Sequence, residues 1–378
     1  MAGLLFGAAG MFATMYSTQA ILPHLAREFG VSPSRSGLTI SVVVIAIAVA
    51  AWVWGPFSDR YGRRRSMMLA SALLVVPTVG AALAPSFPAL LAFRALQGLC
   101  MPGLLIVGVP YVAEVFTPDI GGRAMGLYVA ALVGGGLIGR VGVGLLTAAA
   151  GWRVGLGVLA LLPLAAAIVM RFGLPDAPPP ARTPRALHAL GRALRNPAVL
   201  RPAIAASAMF FTFVSVASYV TYRVQRAPFD WSTATTSLLF VLWALGSIGP
   251  FAGRLADRVG WPAVAAGGLS LQTAGVLISL PPYAITVVLG LGAVTLGVFS
   301  GVTAAQLGVV AATEADRGVA SALYFTFYYL AAALAGFLPG LAWEAWRWPG
   351  VAGSALGALA IGLLSLALPP RGHARTRQ

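Results

Sequence analysis

The feature that most constrains this chain is a succession of long apolar stretches, separated by short segments that hold most of the charge. A helix needs about 20 apolar residues to cross the hydrocarbon core of a bilayer. Only 9% of the residues are charged and 59% are hydrophobic, whereas about a quarter of the residues of a soluble domain are charged. The chain is therefore predicted to be a membrane protein.

By this length rule the chain contains twelve apolar spans, which are numbered 1 to 12 in chain order. The predicted spans are 3–23, 37–57, 66–85, 88–115, 122–149, 152–172, 203–222, 232–252, 262–281, 284–311, 318–341 and 346–368. Residues 2 to 23 carry no preceding basic residue and no convincing cleavage site, which favours a retained first span over a signal peptide.

Two internal matches indicate that the chain is a duplication. The segment from Gly55 to Arg65 follows span 2, and a reduced copy from Gly253 to Gly260 follows span 8, an offset of 198 residues (253 minus 55). Arg123 and Arg317 form a second pair, 194 residues apart (317 minus 123). Such offsets are expected of two parallel six-helix halves. The predicted fold is an all-α membrane protein with two pseudo-symmetric six-helix bundles, at 1–174 and 202–378, joined by a linker at 175–201.

The linker is rich in proline and then in arginine. Within it, Leu187, Leu190 and Leu194 share one helical face, and a basic face holds Arg185, His188, Arg192 and Arg195. This pattern favours a short helix on the inner leaflet with its arginines toward anionic lipid. A solvated linker is the alternative.

The basic excess indicates topology and argues against nucleic-acid binding. The net charge is +15, and most of the arginines lie in short loops between spans. With a cytoplasmic N-terminus, seventeen arginines fall in inner segments and six in outer ones. The positive-inside rule therefore predicts a multi-pass protein of the cell inner (plasma) membrane with both termini cytoplasmic.

Several motifs resemble those of the major facilitator superfamily of secondary transporters. The pattern Gly-x-x-x-Asp-Arg-x-Gly-Arg-Arg after span 2 is similar to the signature loop of that family, and the run from Arg94 to Gly98 in span 4 is similar to its second motif. Tyr16, Gln19 and Pro23 resemble residues of bacterial efflux members of the drug:proton antiporter type. The resemblance implies two bundles that rock about a central cavity lined by spans 1, 4, 7 and 10. It also implies a monomer that works on a small-molecule solute in membrane lipid, without a cofactor.

The resemblance assigns a conformational latch to the signature loops, acting against span 11. The latch residues are Gly55, Asp59, Arg60, Gly62, Arg63 and Arg64, with Asp257 and Arg258 in the second copy. On chemistry alone, Asp59 is placed to pair with a nearby arginine or to accept free N–H groups at a helix start. Gly55 and Gly62 are expected to permit tight turns and close approach. The alternative is that these arginines serve topology alone.

Arg94 and Arg140 are the arginines predicted to lie well inside spans, where each costs several kcal/mol unless it faces a partner or a wet cavity. Glu114 is the one acid inside a predicted span. The two arginines are expected either to bind an anionic or acceptor-rich solute or to bond carbonyls and hydroxyls as structural groups. The predicted substrate-binding residues are Tyr16, Gln19, Arg94, Gln97, Arg140, Phe210, Phe213, Gln306 and Tyr328.

Other features bear on coupling and on the class of protein. In span 5, Gly136 and Arg140 replace the proline and the final glycine of the family's antiporter pattern Gly-Pro-x-x-Gly-Gly, and this departure argues against antiport. If protons are coupled, Asp59 and Glu114 are the candidate carriers. The chain has no lysine, so it lacks a Walker A loop. Its three histidines are scattered, so neither a metal site nor an intramembrane enzyme is expected.

The predicted function is therefore secondary active transport of small organic solutes by alternating access, as proton-coupled efflux. A facilitative uniporter, a lipid or amphiphile flippase of the same fold, and a non-transporting receptor are the alternatives.

Overall fold

The computed structural model describes residues 1–116, 118–175, 186–313 and 317–367. Within these ranges helices are the regular structure, and ten of them are long and apolar enough to cross a membrane. Span 1 and the pair formed by spans 11 and 12 depart from one helix per span.

Span 1 is an interrupted helix. It consists of the helix Ala2–Met15, the 3₁₀ segment Ser17–Ile21 and the short helix Leu22–Phe29. The interruption lies at Tyr16, whose φ of −112° and ψ of 15° are not helical. None of the three pieces reaches the length of about 20 residues that a single spanning helix needs.

Spans 11 and 12 form one continuous stretch, Arg317–Ala367, of 51 residues. At Arg347 the backbone leaves the helical region, with φ 54° and ψ −140°, so the stretch contains two helices. With this division and the interrupted span 1, the twelve predicted spans are accounted for. The other helices are Pro33–Tyr61 (span 2), Arg63–Ala82 (span 3), Phe87–Cys100 and Pro102–Val115 (span 4), Pro118–Ala150 (span 5), Trp152–Val158 and Leu161–Gly173 (span 6), Ala186–Arg195 (linker), Pro197–Val224 (span 7), Thr233–Leu238 with the 3₁₀ segment Leu239–Ile248 and Gly249–Val259 (span 8), Trp261–Ile278 (span 9) and Ala284–Ala311 (span 10).

The two signature loops turn in the same way. Gly62 has φ 91° and ψ 145°, and Gly260 has φ 87° and ψ 144°. This backbone conformation is open to glycine and strained for other residues. The positions are 198 residues apart (260 minus 62), so the turn supports the duplication. The close approach expected at Gly55 is not found, because a Cβ at Gly55 would meet no atom within 4 Å.

By their internal contacts the residues fall into two compact units. The first unit comprises Met1–Ala181, Ala217–Ala244 and Ala333–Val351, and the second comprises Arg182–Val216, Leu245–Ala332 and Ala352–Gln378. The first unit therefore includes end segments of spans 7, 8, 11 and 12. The predicted boundaries at 174 and 202 stay a prediction.

The linker helix expected from the sequence is present as Ala186–Arg195. Arg185, on its predicted basic face, lies outside the described residues.

Glycines bring spans 9 and 10 together in the second unit. A Cβ on Gly275 would lie 2.6 Å from the carbonyl oxygen of Gly290, and a Cβ on Gly268 would lie 2.7 Å from that of Gly297. These distances leave no room for a side chain. Small residues allow such close helix contact in lipid.

Candidate functional site

Arg94 is fully buried and binds the interrupted part of span 1. Its Nε donates to the carbonyl oxygen of Thr39 at 3.0 Å, and its Nη2 donates to that of Met15 at 2.6 Å. Its Nη1 donates to the carbonyl oxygen of Thr14 and to Oε1 of Gln97, both at 2.7 Å. All three nitrogens of the guanidinium therefore have neutral oxygen acceptors.

This arrangement has a structural cause. The helix ends at Met15, so main-chain carbonyls beside the break need other donors. Arg94 supplies them from span 4, and Gln97, which accepts from Arg94, donates in turn to Oγ1 of Thr78 at 3.1 Å. These contacts match the structural alternative for Arg94. The substrate-binding role of Arg94 and Gln97 stays a prediction.

Arg140 is also fully buried, and it has fewer hydrogen bonds. Its Nε donates to Oε1 of Gln19 at 2.7 Å, and its Nη1 donates to the carbonyl oxygen of Gly136 at 2.8 Å. Gln19 donates onward to Oγ of Ser218 in span 7 at 3.0 Å. For Nη2 of Arg140 no hydrogen-bond acceptor is found among the described residues.

Aromatic rings cover the rest of the Arg140 guanidinium. Its Cζ lies 4.1 Å from a ring centroid of Trp243, 4.7 Å from that of Tyr16 and 5.8 Å from that of Phe240. A desolvated cation–π contact contributes about 2 kcal/mol. We name Arg140, Tyr16, Gln19, Phe240 and Trp243 the arginine cage. All five belong to the first unit.

Neither Arg94 nor Arg140 pairs with an acid among the described residues. The ion pairs found in the described part of the chain join Arg63 to Asp59 and Glu114, and Arg153 to Glu28. The interrupted segment of span 1 therefore lies between two buried cations, Arg94 and Arg140, without a carboxylate from the described residues to balance them.

Sequence reasoning missed Phe240, Trp243 and Ser218. A signal for Trp243 was available, because the other eight of the nine tryptophans lie at or near predicted span ends, whereas Trp243 lies in the middle of span 8. Phe240 and Ser218 carry no such signal.

At the end of the first unit opposite to the signature loop, spans 1 and 2 contact spans 7 and 11. Oγ of Ser36 and the Tyr222 hydroxyl share a hydrogen bond of 2.7 Å, and that hydroxyl also bonds the carbonyl oxygen of Leu22 at 3.0 Å. The main-chain N–H of Ser34 donates to Oε1 of Glu344 at 2.9 Å. A carboxylate at this helix N-terminus is stabilised by the helix dipole.

The same contact continues through glycine. A Cβ on Gly37 in span 2 would collide with the carbonyl oxygen of Gly336 in span 11. Nearby, the hydroxyl of Ser41 donates to the carbonyl oxygen of Ala333. We name the contact formed by Leu22, Ser34, Ser36, Gly37 and Ser41 with Tyr222, Ala333, Gly336 and Glu344 the closed end.

At the signature loop, one arginine joins both proton-carrier candidates. Nε of Arg63 lies 2.6 Å from Oε2 of Glu114, and its Nη1 lies 3.5 Å from Oδ1 of Asp59 and 3.2 Å from Oγ of Ser58. The Asp59 side chain is 58% exposed, whereas that of Glu114 is 24% exposed. The predicted pairing of Asp59 with a nearby arginine is therefore present.

The other latch candidates are arranged differently. Asp257 and Arg258 are exposed. Arg60 packs against the ring of Tyr61, with its Cζ 5.4 Å from the centroid, and Nη2 of Arg64 donates to the carbonyl oxygen of Arg171 at 2.8 Å. The latch function stays a prediction.

The remaining substrate-binding candidates lie in the second unit, in its own aromatic cluster. The rings of Phe210 and Tyr328 stack with centroids 3.8 Å apart, and Phe213 lies edge-on to Phe299 at 6.1 Å. Gln306 is exposed. The cluster provides apolar faces, and the role of its residues in binding stays a prediction.

The comparisons with known proteins agree with this fold. The chain matches the Major Facilitator Superfamily over residues 4–336. It is 30% identical over 360 residues to the uncharacterized MFS-type transporter YybF of Bacillus subtilis (strain 168), covering 92% of this chain and 88% of that protein. It is also 30% identical over 345 residues to the inner membrane transport protein YnfM of Escherichia coli (strain K12), covering 90% and 83%.

A solved structure shows the same fold. The bacterial homologue of the human lysosomal transporter Spinster, in an inward-facing and unoccupied conformation, matches with a TM-score of 0.78 at 15% identity, covering 97% of this chain and 93% of that chain. The family match and the curated relatives identify the chain as a multi-pass membrane transporter rather than an enzyme. The chain belongs to the Major Facilitator Superfamily.

Proposed function

We propose that this transporter exports small organic solutes that carry a carboxylate or another anionic, acceptor-rich group. Family membership supports transport of a small molecule. The resemblance of Tyr16, Gln19 and Pro23 to bacterial efflux members supports export. The chemistry of Arg140 supports the anionic substrate, and this is the observation that carries the proposal.

A carboxylate would gain more from Arg140 than from Arg94. The three nitrogens of Arg94 already have oxygen acceptors, so a ligand would have to displace main-chain carbonyls. Arg140 has two neutral acceptors and three aromatic neighbours. A planar guanidinium binds a carboxylate through two parallel hydrogen bonds, and a charged pair is stronger than a neutral one.

The cage also links binding to movement of span 8. Phe240 and Trp243 belong to that span, whereas Arg140 belongs to span 5. Separation of the two spans would remove two aromatic faces from a desolvated cation and uncover its guanidinium. A substrate carboxylate would stabilise the uncovered state, because a ligand shifts an equilibrium toward the state that it binds more tightly.

The test is uptake and binding by the purified chain in proteoliposomes. The probes are aromatic carboxylates, their uncharged amides and quaternary ammonium analogues of the same size. We expect the carboxylates to be transported and to change tryptophan fluorescence, because Trp243 covers Arg140. Arg140→Gln should weaken carboxylate binding at least tenfold. Transport of the ammonium analogues in preference to the carboxylates would contradict the proposal.

Two controls make the binding measurement specific. Trp243→Phe keeps an aromatic ring but removes the indole reporter, so the fluorescence change should fall while transport persists. Arg153→Gln removes an exposed arginine outside the cage and should leave carboxylate binding unchanged. Absence of flux for every probe would favour the non-transporting receptor.

We propose proton coupling through the cluster of Asp59, Arg63 and Glu114. Protonation of either acid removes one of the two charges that hold Arg63, so the cluster responds to proton binding at the loop. A uniporter or flippase would instead equilibrate its substrate without using a pH gradient. The protein is proposed to be a monomer of the inner membrane with both termini cytoplasmic.

A further inference from the structure

A cavity of about 550 Å³ lies beside the signature loop, outside the arginine cage. Its walls come from the end of span 2, the start of span 3 and the end of span 6, all within the first unit. Ligand pockets generally measure about 300–1,000 Å³. The cavity is therefore large enough to hold the head of a lipid-sized ligand.

The charge on the cavity wall has one sign. Three arginines line it, Arg64, Arg65 and Arg171, and no acidic side chain lines it in the described part of the chain. Asp59, five positions before Arg64, pairs with Arg63, which is not part of the wall. Asp176, five positions after Arg171, lies outside the described residues. The cavity therefore attracts an anion.

The rest of the wall is apolar and partly open to the surroundings. It consists of Phe57, Tyr61, Met68 and Leu69. Tyr61 is 48% exposed and Leu69 is 39% exposed, and the rings of Phe57 and Tyr61 lie 4.7 Å apart. Arginines and exposed aromatic side chains at a span end suit the interface between lipid head groups and acyl chains.

A hydrogen bond joins Arg64 to the main chain at Arg171. Nη2 of Arg64 donates to the main-chain oxygen of Arg171 at 2.8 Å, which joins the start of span 3 to the end of span 6. Both side chains line the cavity, so an anion bound there would lie near both guanidinium groups. An ionised phosphate with several acceptor oxygens can bind more than one guanidinium.

We infer that this cavity binds one anionic phospholipid, with its phosphate at Arg64, Arg65 and Arg171 and an acyl chain along Tyr61 and Leu69. A free phosphate offers the same charge but leaves the apolar wall uncovered. A zwitterionic lipid covers that wall but has no net charge to balance three arginines. An anionic lipid matches both the basic part and the apolar part of the cavity wall.

The inference is tested by native mass spectrometry of the full chain released from detergent. The probes are phosphatidylglycerol, phosphatidylcholine of the same acyl chains, and inorganic phosphate. We expect one phosphatidylglycerol to be retained more tightly than any phosphatidylcholine, and inorganic phosphate at equal concentration not to displace it. Displacement by inorganic phosphate would assign the cavity to a soluble anion and overturn the lipid inference.

The matched variants are Arg65→Gln with Arg171→Gln, and Arg254→Gln as control. Each basic residue near an anionic lipid surface contributes about 1 kcal/mol, or about fivefold in affinity. The double variant should therefore hold phosphatidylglycerol about 25-fold more weakly. Arg254 is exposed beside Phe251 after span 8, belongs to the second unit and is not among the residues of the cavity wall, so its loss should not change retention.

A charge-preserving variant separates binding from folding. Arg65→Lys with Arg171→Lys should restore most of the retention, because a lysine still attracts phosphate as a point charge. Equal retention by the wild-type chain and the double glutamine variant would refute the inference.

Discussion

The contact between Gly37 and Gly336 makes the closed end sensitive to a single methyl group. A Cβ on Gly37 would collide with the carbonyl oxygen of Gly336, which belongs to backbone and has no rotamer by which to move away. Gly37→Ala should therefore disfavour the closed end relative to a state in which spans 2 and 11 separate. The substitution removes none of the polar groups that form the closed end.

The size of the effect follows from two terms. Overpacking of a tight contact costs about 1–3 kcal/mol, and this cost arises only when the closed end is formed. Alanine also favours a helix over glycine by about 1 kcal/mol, but span 2 is helical in both states, so this gain cancels. Since about 1.4 kcal/mol corresponds to a tenfold change in an equilibrium constant, the population of the open state relative to the closed state should rise about 5- to 150-fold.

The assay is maleimide labelling of one buried cysteine in nanodiscs, where both faces of the membrane are accessible. The native Cys100 is replaced by alanine, and Thr18→Cys supplies a reporter that is fully buried beside Thr39 of span 2. Gly37→Ala should raise the labelling rate by the same factor as the open state. The control is Gly126→Ala, because a Cβ at Gly126 meets no atom within 4 Å. Equal rates for the two alanine variants would refute the reasoning.

Two further predictions concern the charged residues. Arg94→Lys should destabilise the protein by about 2–6 kcal/mol, because lysine cannot reproduce the fork of donors and leaves about two carbonyls unbonded at about 1–3 kcal/mol each. A thermal melt measures this loss of stability. An unchanged melting temperature together with lost solute binding would instead assign Arg94 to the substrate site. Asp59→Asn combined with Glu114→Gln should abolish accumulation of solute driven by a pH gradient, while counterflow of solute down its own gradient survives in part. Accumulation of solute at the wild-type ratio by the double variant would exclude this cluster as the proton carrier.

The positions of the spans could be predicted because apolar length is a local property of the sequence. The turn at Gly62 and its copy at Gly260 could be predicted for the same reason, since the spacing of glycine and charge repeats after 198 residues (260 minus 62). A division between spans 11 and 12 was also predicted, at 342–345, and the backbone break at Arg347 lies two residues beyond it.

The interruption of span 1 could not be read from the same pattern. Ser17, Thr18 and Gln19 look like ordinary polar positions in an apolar run, and helix propensity does not forbid them. The break is stable because Arg94, about 80 positions further along, bonds the carbonyls of Thr14 and Met15. Such a partner is fixed by tertiary packing, which a local pattern does not contain.

The partners of Arg140 and Arg63 are hidden in the same way. The sequence identified Arg140 as a buried cation, yet Trp243 lies 103 positions away (243 minus 140), in another span. Arg63 reaches Glu114 across 51 positions. The sequence therefore predicted which residues carry charge, and the structure adds which groups balance it.

The interrupted segment of span 1 connects the two buried cations with the contacts of span 7. Gln19 accepts from Arg140 and donates to Ser218, so its amide is committed in both directions. An anion that bound Arg140 would release the carbonyl of Gln19, because it offers the guanidinium a stronger acceptor. The segment from Tyr16 to Gln19 would then lose its hydrogen bond to Arg140, while Arg94 still bonded Ser17 and the adjacent Met15. Under the proposed function, binding of an anion at Arg140 would thus also change how Gln19, which bonds Ser218 of span 7, is held, and a ligand shifts a conformational equilibrium only through such a difference between states.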